Sequence, residues 1–91
     1  MEKPKLSPMM EQYRRIKLDM DANTLLVFRI GDFYELFFED AEIAARLCNL
    51  TLQKRCGVPN AGIPYHALHI LEEGIIGTGY VIALLEEVIK L

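Results

Sequence analysis

The chain has 91 residues, 52% hydrophobic and 25% charged, which describes one folded domain with a modest core and excludes a disordered chain. Its formal net charge of −3 argues against a strong sequence-blind nucleic-acid binder, although Arg14, Arg15 and Lys17, or Lys54 and Arg55, can form a local basic surface. Two cysteines without a Cys-x-x-Cys, no apolar run of membrane length and no apolar signal segment lead us to expect free thiols and a cytoplasmic location.

Residues 1–6 read as a flexible N-terminal tail, and residues 7–91 as the domain. Ser7 has the chemistry of an N-cap, with Pro8 at the first helical position and Glu11 placed for a capping box. The helix runs to about residue 18, with Met9, Tyr13 and Ile16 on one face. Residues 24–30 form a strand. Leu25, Leu26, Val27 and Phe28 are consecutive apolars, so both faces are covered and the strand lies inside a sheet.

Gly31 permits a turn, and Asp32 then caps a long helix with Glu35 three residues on. On a helical wheel Tyr34, Phe37, Phe38, Ala41, Ala44, Ala45 and Cys48 make the core stripe. Glu35, Glu39, Glu42 and Arg46 make a polar strip, and Phe33 falls at the margin, free to pack or to project. Asn49 suits the helix C-terminus.

Residues 50–55 alternate as a half-exposed strand, 56–60 read as a turn, and 61–64 as a short extended piece before Pro64. A helix follows from Tyr65 or His66 to about Glu73. Glycines 74, 77 and 79 punctuate its end, and residues 80–85 form a last buried strand. The order predicts an α+β fold, a mixed β-sheet flanked by about three helices in a single domain.

The residues offer little for catalysis. His66 and His69 sit three apart without a third ligand, and a zinc site from Cys48, Cys56, His66 and His69 fits none of the common spacings. Gly74-x-x-Gly77-x-Gly79 lacks the Lys-Ser/Thr of a phosphate loop and precedes a strand. We therefore expect no catalytic residues, no metal, no cofactor and no ATP binding in this chain.

The string Phe28-Arg29-Ile30-Gly31-Asp32-Phe33-Tyr34-Glu35-Leu36-Phe37 resembles the N-terminal mismatch-recognition domain of the MutS family. Further blocks follow in family order: Ser7-Pro8-Met9-Met10-x-Gln12-Tyr13, Leu50-Thr51-Leu52-x-Lys54-Arg55, Ala61-Gly62-Ile63-Pro64-Tyr65-His66-Ala67 and Ala83-x-x-Glu86. The resemblance implies a non-enzymatic DNA-binding module of mismatch repair. Its partner would be double-stranded DNA with a mispair or small loop. Phe33 would wedge into the minor groove and Glu35 would hydrogen-bond the mispaired base. Arg55 and Lys54 would lie near phosphates, and Ile30 close to the DNA backbone. The connector, lever, clamp and ATPase domains of the family's full-length proteins have no counterpart in these 91 residues. The segment between Arg55 and Ala61 is shorter than usual. A second reading, suggested by the negative charge and the short loop, is a protein-interaction or regulatory module that keeps the fold without DNA binding.

Overall fold

The computed structural model describes residues 6–86; the ends, including most of the expected tail, lie outside the described residues. Helix α1 (Pro8–Lys17) begins as the sequence predicts, with the Met10 amide donating to Ser7 Oγ at 3.2 Å and Pro8 in the first turn. Five strands follow: β1 (Thr24–Ile30), β2 (Phe33–Phe37), β3 (Gln53–Arg55), β4 (Val58–Pro64) and β5 (Val81–Leu85). Helix α2 (Phe38–Cys48) separates β2 from β3, while a short 3-10 turn (Tyr65–Ala67) and α3 (Leu68–Ile75) separate β4 from β5.

The strands form one sheet in the order β3-β4-β2-β1-β5. It is mixed: β5 runs parallel to β1, with Thr24 opposite Val81 and Phe28 opposite Leu85, and the other pairings are antiparallel. The fold is α+β, as expected.

The expected helix from Asp32 is a correction. Gly31 and Asp32 are the two-residue turn of a hairpin that pairs Ile30 with Phe33, and Gly31 takes φ +60° as a type II′ turn requires at its first central position. Residues 33–37 continue as a strand, and α2 starts only at Phe38. The helical wheel placed Tyr34 and Phe37 on one face. In the strand they lie on opposite faces, since side chains alternate: Tyr34 packs in the core beneath α2 and α3, Phe37 in the core beneath α1. Glu35 accordingly belongs to no helical strip and closes no capping box.

Two smaller expectations also change. Residues 56–60 are not all turn. Cys56 (φ 52°) and Gly57 (φ 80°) make a type I′ turn, and β4 has already begun at Val58. The last strand is an edge strand, with Val81 and Leu84 exposed rather than buried.

The result is three layers. On one face of the sheet Leu25, Val27, Tyr34, Leu36, Ala61 and Ile63 pack with Ala41, Ala44 and Leu71 of α2 and α3. On the other face Leu26, Phe28, Phe37 and Val58 pack with Met10 and Tyr13 of α1. Helix α1 is too short to cover the whole of that second face. Its C-terminal end is tied away from the β1–β2 turn, because Lys17 Nζ donates to the Thr24 carbonyl at 2.6 Å and to Asp40 at 3.1 Å.

A buried polar knot fixes this arrangement. Asp40 accepts from the Leu26 amide at 2.9 Å and from the Tyr13 hydroxyl at 3.1 Å, and pairs with Lys17 at 3.0 Å. The Leu26 amide needs such a partner because the β1–β2 ladder extends no further back than Phe28. Burial, reinforced by the negative charge of Asp40, drives the Tyr13 phenol far above its ordinary range.

Candidate nucleic-acid interface

The part of the sheet face that α1 leaves bare begins at the β1–β2 turn. Phe33 follows that turn and stands half-exposed, at 50% of its free surface. Its place at the hairpin end, opposite Ile30 on one side and Pro64 on the other, gives it neighbours but no lid. Two residues on, alternation returns Glu35 to the same face. Gly62 lies opposite Glu35 on β4. A Cβ on Gly62 would approach Glu35 Cγ to 3.2 Å, so the absent side chain makes the space in which Glu35 lies.

The Glu35 carboxylate reaches across β4 to β3. Arg55 Nη1 donates to both of its oxygens at 2.8 Å, and Asn60 Nδ2 donates to Oε1 at 3.3 Å. Asn60 is buried and donates also to the Leu36 carbonyl at 3.0 Å, while accepting from Gln53 Nε2 at 3.2 Å. The result is a buried carboxylate, 9% exposed, under a guanidinium whose side chain is 42% exposed. Ile30, Phe33, Glu35, Gln53, Arg55 and Gly62 together line an open groove of about 430 Å³.

The expected site residues thus divide. Phe33, Glu35, Arg55 and Ile30 share the groove. Lys54 does not: it is exposed, pairs with Pro59, and by alternation along β3 points from the opposite face to Arg55. Arg14, Arg15 and Lys17 belong to the far end of α1; Lys17 holds Asp40, and the Arg14 guanidinium lies 4.7 Å from the centre of the Phe38 ring. Sequence reasoning missed Gln53, Asn60 and Gly62 as members of the site. The signal for them was a polar Asn inside an otherwise apolar strand, facing an acid on a neighbouring one.

From the opposite face the turn is braced. The Tyr65 amide donates to the Asp32 carbonyl at 2.8 Å. The Arg29 guanidinium stacks 4.4 Å from the centre of the Tyr65 ring, and Arg29 Nε donates to the Gly31 carbonyl at 3.2 Å. Tyr34 donates its hydroxyl proton to Glu86 at 2.8 Å, and that bond holds the Tyr34 phenol above its ordinary range. The hairpin end that carries Phe33 is therefore fixed through its backbone, while the ring itself stays accessible.

Among the described residues no three His, Cys, Asp or Glu side chains gather as a metal site, and no helix is long and apolar enough to cross a membrane. His66 and His69 are exposed.

Fold and groove together define a small α+β domain that presents an aromatic at a hairpin end beside a paired carboxylate. The chain belongs to the MutS domain I family, whose sequence model matches residues 7–90. It is 49% identical over 83 residues to the DNA mismatch repair protein MutS of Thermosipho melanesiensis, covering 91% of this chain and 10% of that protein. It is 46% identical over 83 residues to MutS of Thermotoga maritima, with the same coverage. Against MutS of Petrotoga mobilis the identity is 45% over 82 residues, covering 90% of this chain and 10% of the relative. The chain spans about a tenth of the length of these curated relatives.

Proposed function

We propose that this chain recognises mispairs or small loops in double-stranded DNA, with Phe33 as a wedge and Glu35 as the group that reads the mispaired base through the minor groove. The observation that carries the reading is Phe33: a large aromatic held half-exposed at a braced hairpin end, next to a carboxylate on the same face. The names of the relatives, DNA mismatch repair proteins, support it.

The physics favours a mispair over a matched pair. A wedge must unstack a base step and kink the duplex, and that costs less where pairing is already defective. Stacking a base on an aromatic ring returns about 1–3 kcal/mol. A carboxylate is an awkward neighbour for a polyanion, and in the free protein Arg55 offsets its charge. Arg55, partly exposed in the groove, would meet a phosphate, and Ile30, which also lines it, would lie close to the DNA backbone. Lys54 contributes attraction from the other face. Binding by the isolated chain is expected to be weak, with a shallow dependence on salt, because few cations approach the phosphates.

The test compares Phe33→Ala with the unmodified chain on matched and mismatched duplexes by fluorescence anisotropy. Loss of the stacking interaction corresponds to a fall in mispair preference of about fivefold or more, with affinity for matched duplex little changed. Equal affinity of the unmodified chain for both duplexes would overturn mispair recognition, and no binding to either would favour the protein-interaction module.

A further inference from the structure

The Glu35 carboxylate is almost entirely buried, and the groups that hydrogen-bond it are Arg55 and Asn60. A base cannot reach that carboxylate while Arg55 lies over it. We propose that Arg55 is a latch: it covers Glu35 in the free protein, and a backbone phosphate draws it off, exposing the carboxylate to the base. The proposal rests on the DNA-binding reading above and adds to it an order of events, phosphate first and base second.

Arg55 is built for such an exchange. It sits on β3, a three-residue edge strand with all its residues exposed. Its side chain is 42% exposed against 11% for Glu35, so one partner faces solvent and the other does not. It holds both carboxylate oxygens through a single nitrogen, Nη1, and among the described residues Nε and Nη2 have no protein partner. That is not the paired, two-nitrogen grip that a guanidinium makes with a carboxylate at its strongest, and a phosphate can offer that grip instead. Asn60 stays behind. Anchored on the Leu36 carbonyl and engaged by Gln53, it keeps Glu35 in place when Arg55 leaves. Gly62 leaves the carboxylate room to lie flat in the groove.

The latch ties base reading to backbone contact. On a matched duplex Arg55 moves to a phosphate and Glu35 meets no suitable base, so the carboxylate alone is left without a partner. On a mispair the exposed carboxylate finds its partner. Discrimination thus arises partly from a bond within the protein that every duplex must break.

A double-mutant cycle on matched duplex tests this, using Glu35→Gln, Arg55→Ala and the combination, each checked by its melting curve. Glu35→Gln loosens the latch in advance, so it is expected to tighten matched binding about two- to fivefold, the range of a partly exposed ion pair. In the Arg55→Ala background the same change is expected to give no gain. A gain of equal size in both backgrounds would mean that Glu35 merely repels phosphates, and would overturn the latch; so would no gain in either. A second measurement needs no variant. The Asn60 side-chain amide and the Arg55 Nε–H resonances are expected to shift together when matched duplex is added to the isotope-labelled chain, and resonances that stay put while other amides shift would overturn the proposal. The underlying function is judged separately: a mispair preference abolished by Phe33→Ala, alongside an additive cycle, removes the latch and keeps the wedge. No binding to any duplex removes both.

Discussion

One face of the sheet carries two regions with the same strands and opposite fates. Under α1, Leu26, Phe28, Phe37 and Val58 are buried in a closed core. Toward the β1–β2 turn, Ile30, Phe33, Glu35 and Arg55 line an open groove, with Ile30 at its border with that core. Phe28 and Phe33 are both phenylalanines of one hairpin, five residues apart, yet Phe28 is wholly buried and Phe33 half-exposed. The difference comes from what packs on each ring, Met10 and Tyr13 of α1 in the cluster with Phe28 and nothing comparable on Phe33, not from residue type. Aromatic character alone does not distinguish a core residue from a wedge; the presence of a covering element does.

The comparison is broken most severely from the covered side. Phe28→Ala is expected to cost about 3–5 kcal/mol, seen as a large fall in the urea midpoint, whereas Phe33→Ala should move it by no more than about 0.5 kcal/mol. If both variants lose equal stability, the two regions are one core. Asp40→Ala comes next. It strands the buried Leu26 amide and removes the Asp40 acceptor from the Tyr13 hydroxyl, at a cost of about 1–3 kcal/mol.

Gly62→Ala sharpens the open side. The new Cβ would press on Glu35 Cγ, so we expect a cost of about 1 kcal/mol together with a reduced mispair preference. A variant that loses stability and keeps its preference would show that Gly62 serves packing alone.

The smallest effect is alkaline. Tyr13 is held in the folded state well above its ordinary value of 10.0, by burial and by Asp40. Stability linked to it is intact below pH 10 and declines as pH rises further, because the unfolded chain then releases a proton that the folded chain keeps. Tyr34, raised by its bond to Glu86, acts in the same direction. Tyr13→Phe should flatten part of the decline in melting temperature. An unchanged slope would mean that the phenol does not sense the Asp40 knot.

Much of this was legible in the residues. The Ser7-Pro8 start of α1, the interior strand at 24–30, the left-handed Asn49 at the end of α2 (φ 56°) and the α+β class all follow from local chemistry. The segment 31–37 was not, because it satisfies two templates. Its apolar residues fit a helical stripe when read with Ala41 and Ala44, and an alternating strand when read alone. What decides is pairing with β1 and β4, whose residues lie elsewhere in the sequence. The same reason hid the ion pair. Glu35 and Arg55 are 20 residues apart, and only the register of three strands brings them together. Phe33, in contrast, falls at the margin of the helical stripe, free to pack or to project, and only the family motif marks it as a wedge; the structure replaces the helix with a strand that leaves the ring half-exposed.

The parallel pairing of β1 with β5 has a consequence for the chain as it is made. Phe28 waits for Leu85, and synthesis at about 5–20 residues per second leaves several seconds in which the β1–β2 hairpin has left the ribosome without its outer neighbour. During that interval the bare edge of β1 exposes its unpaired backbone groups to any passing strand. Nascent-chain proteolysis should find the hairpin susceptible until residues 81–85 emerge and resistant afterwards, which makes the last strand the step that commits the domain to its native state.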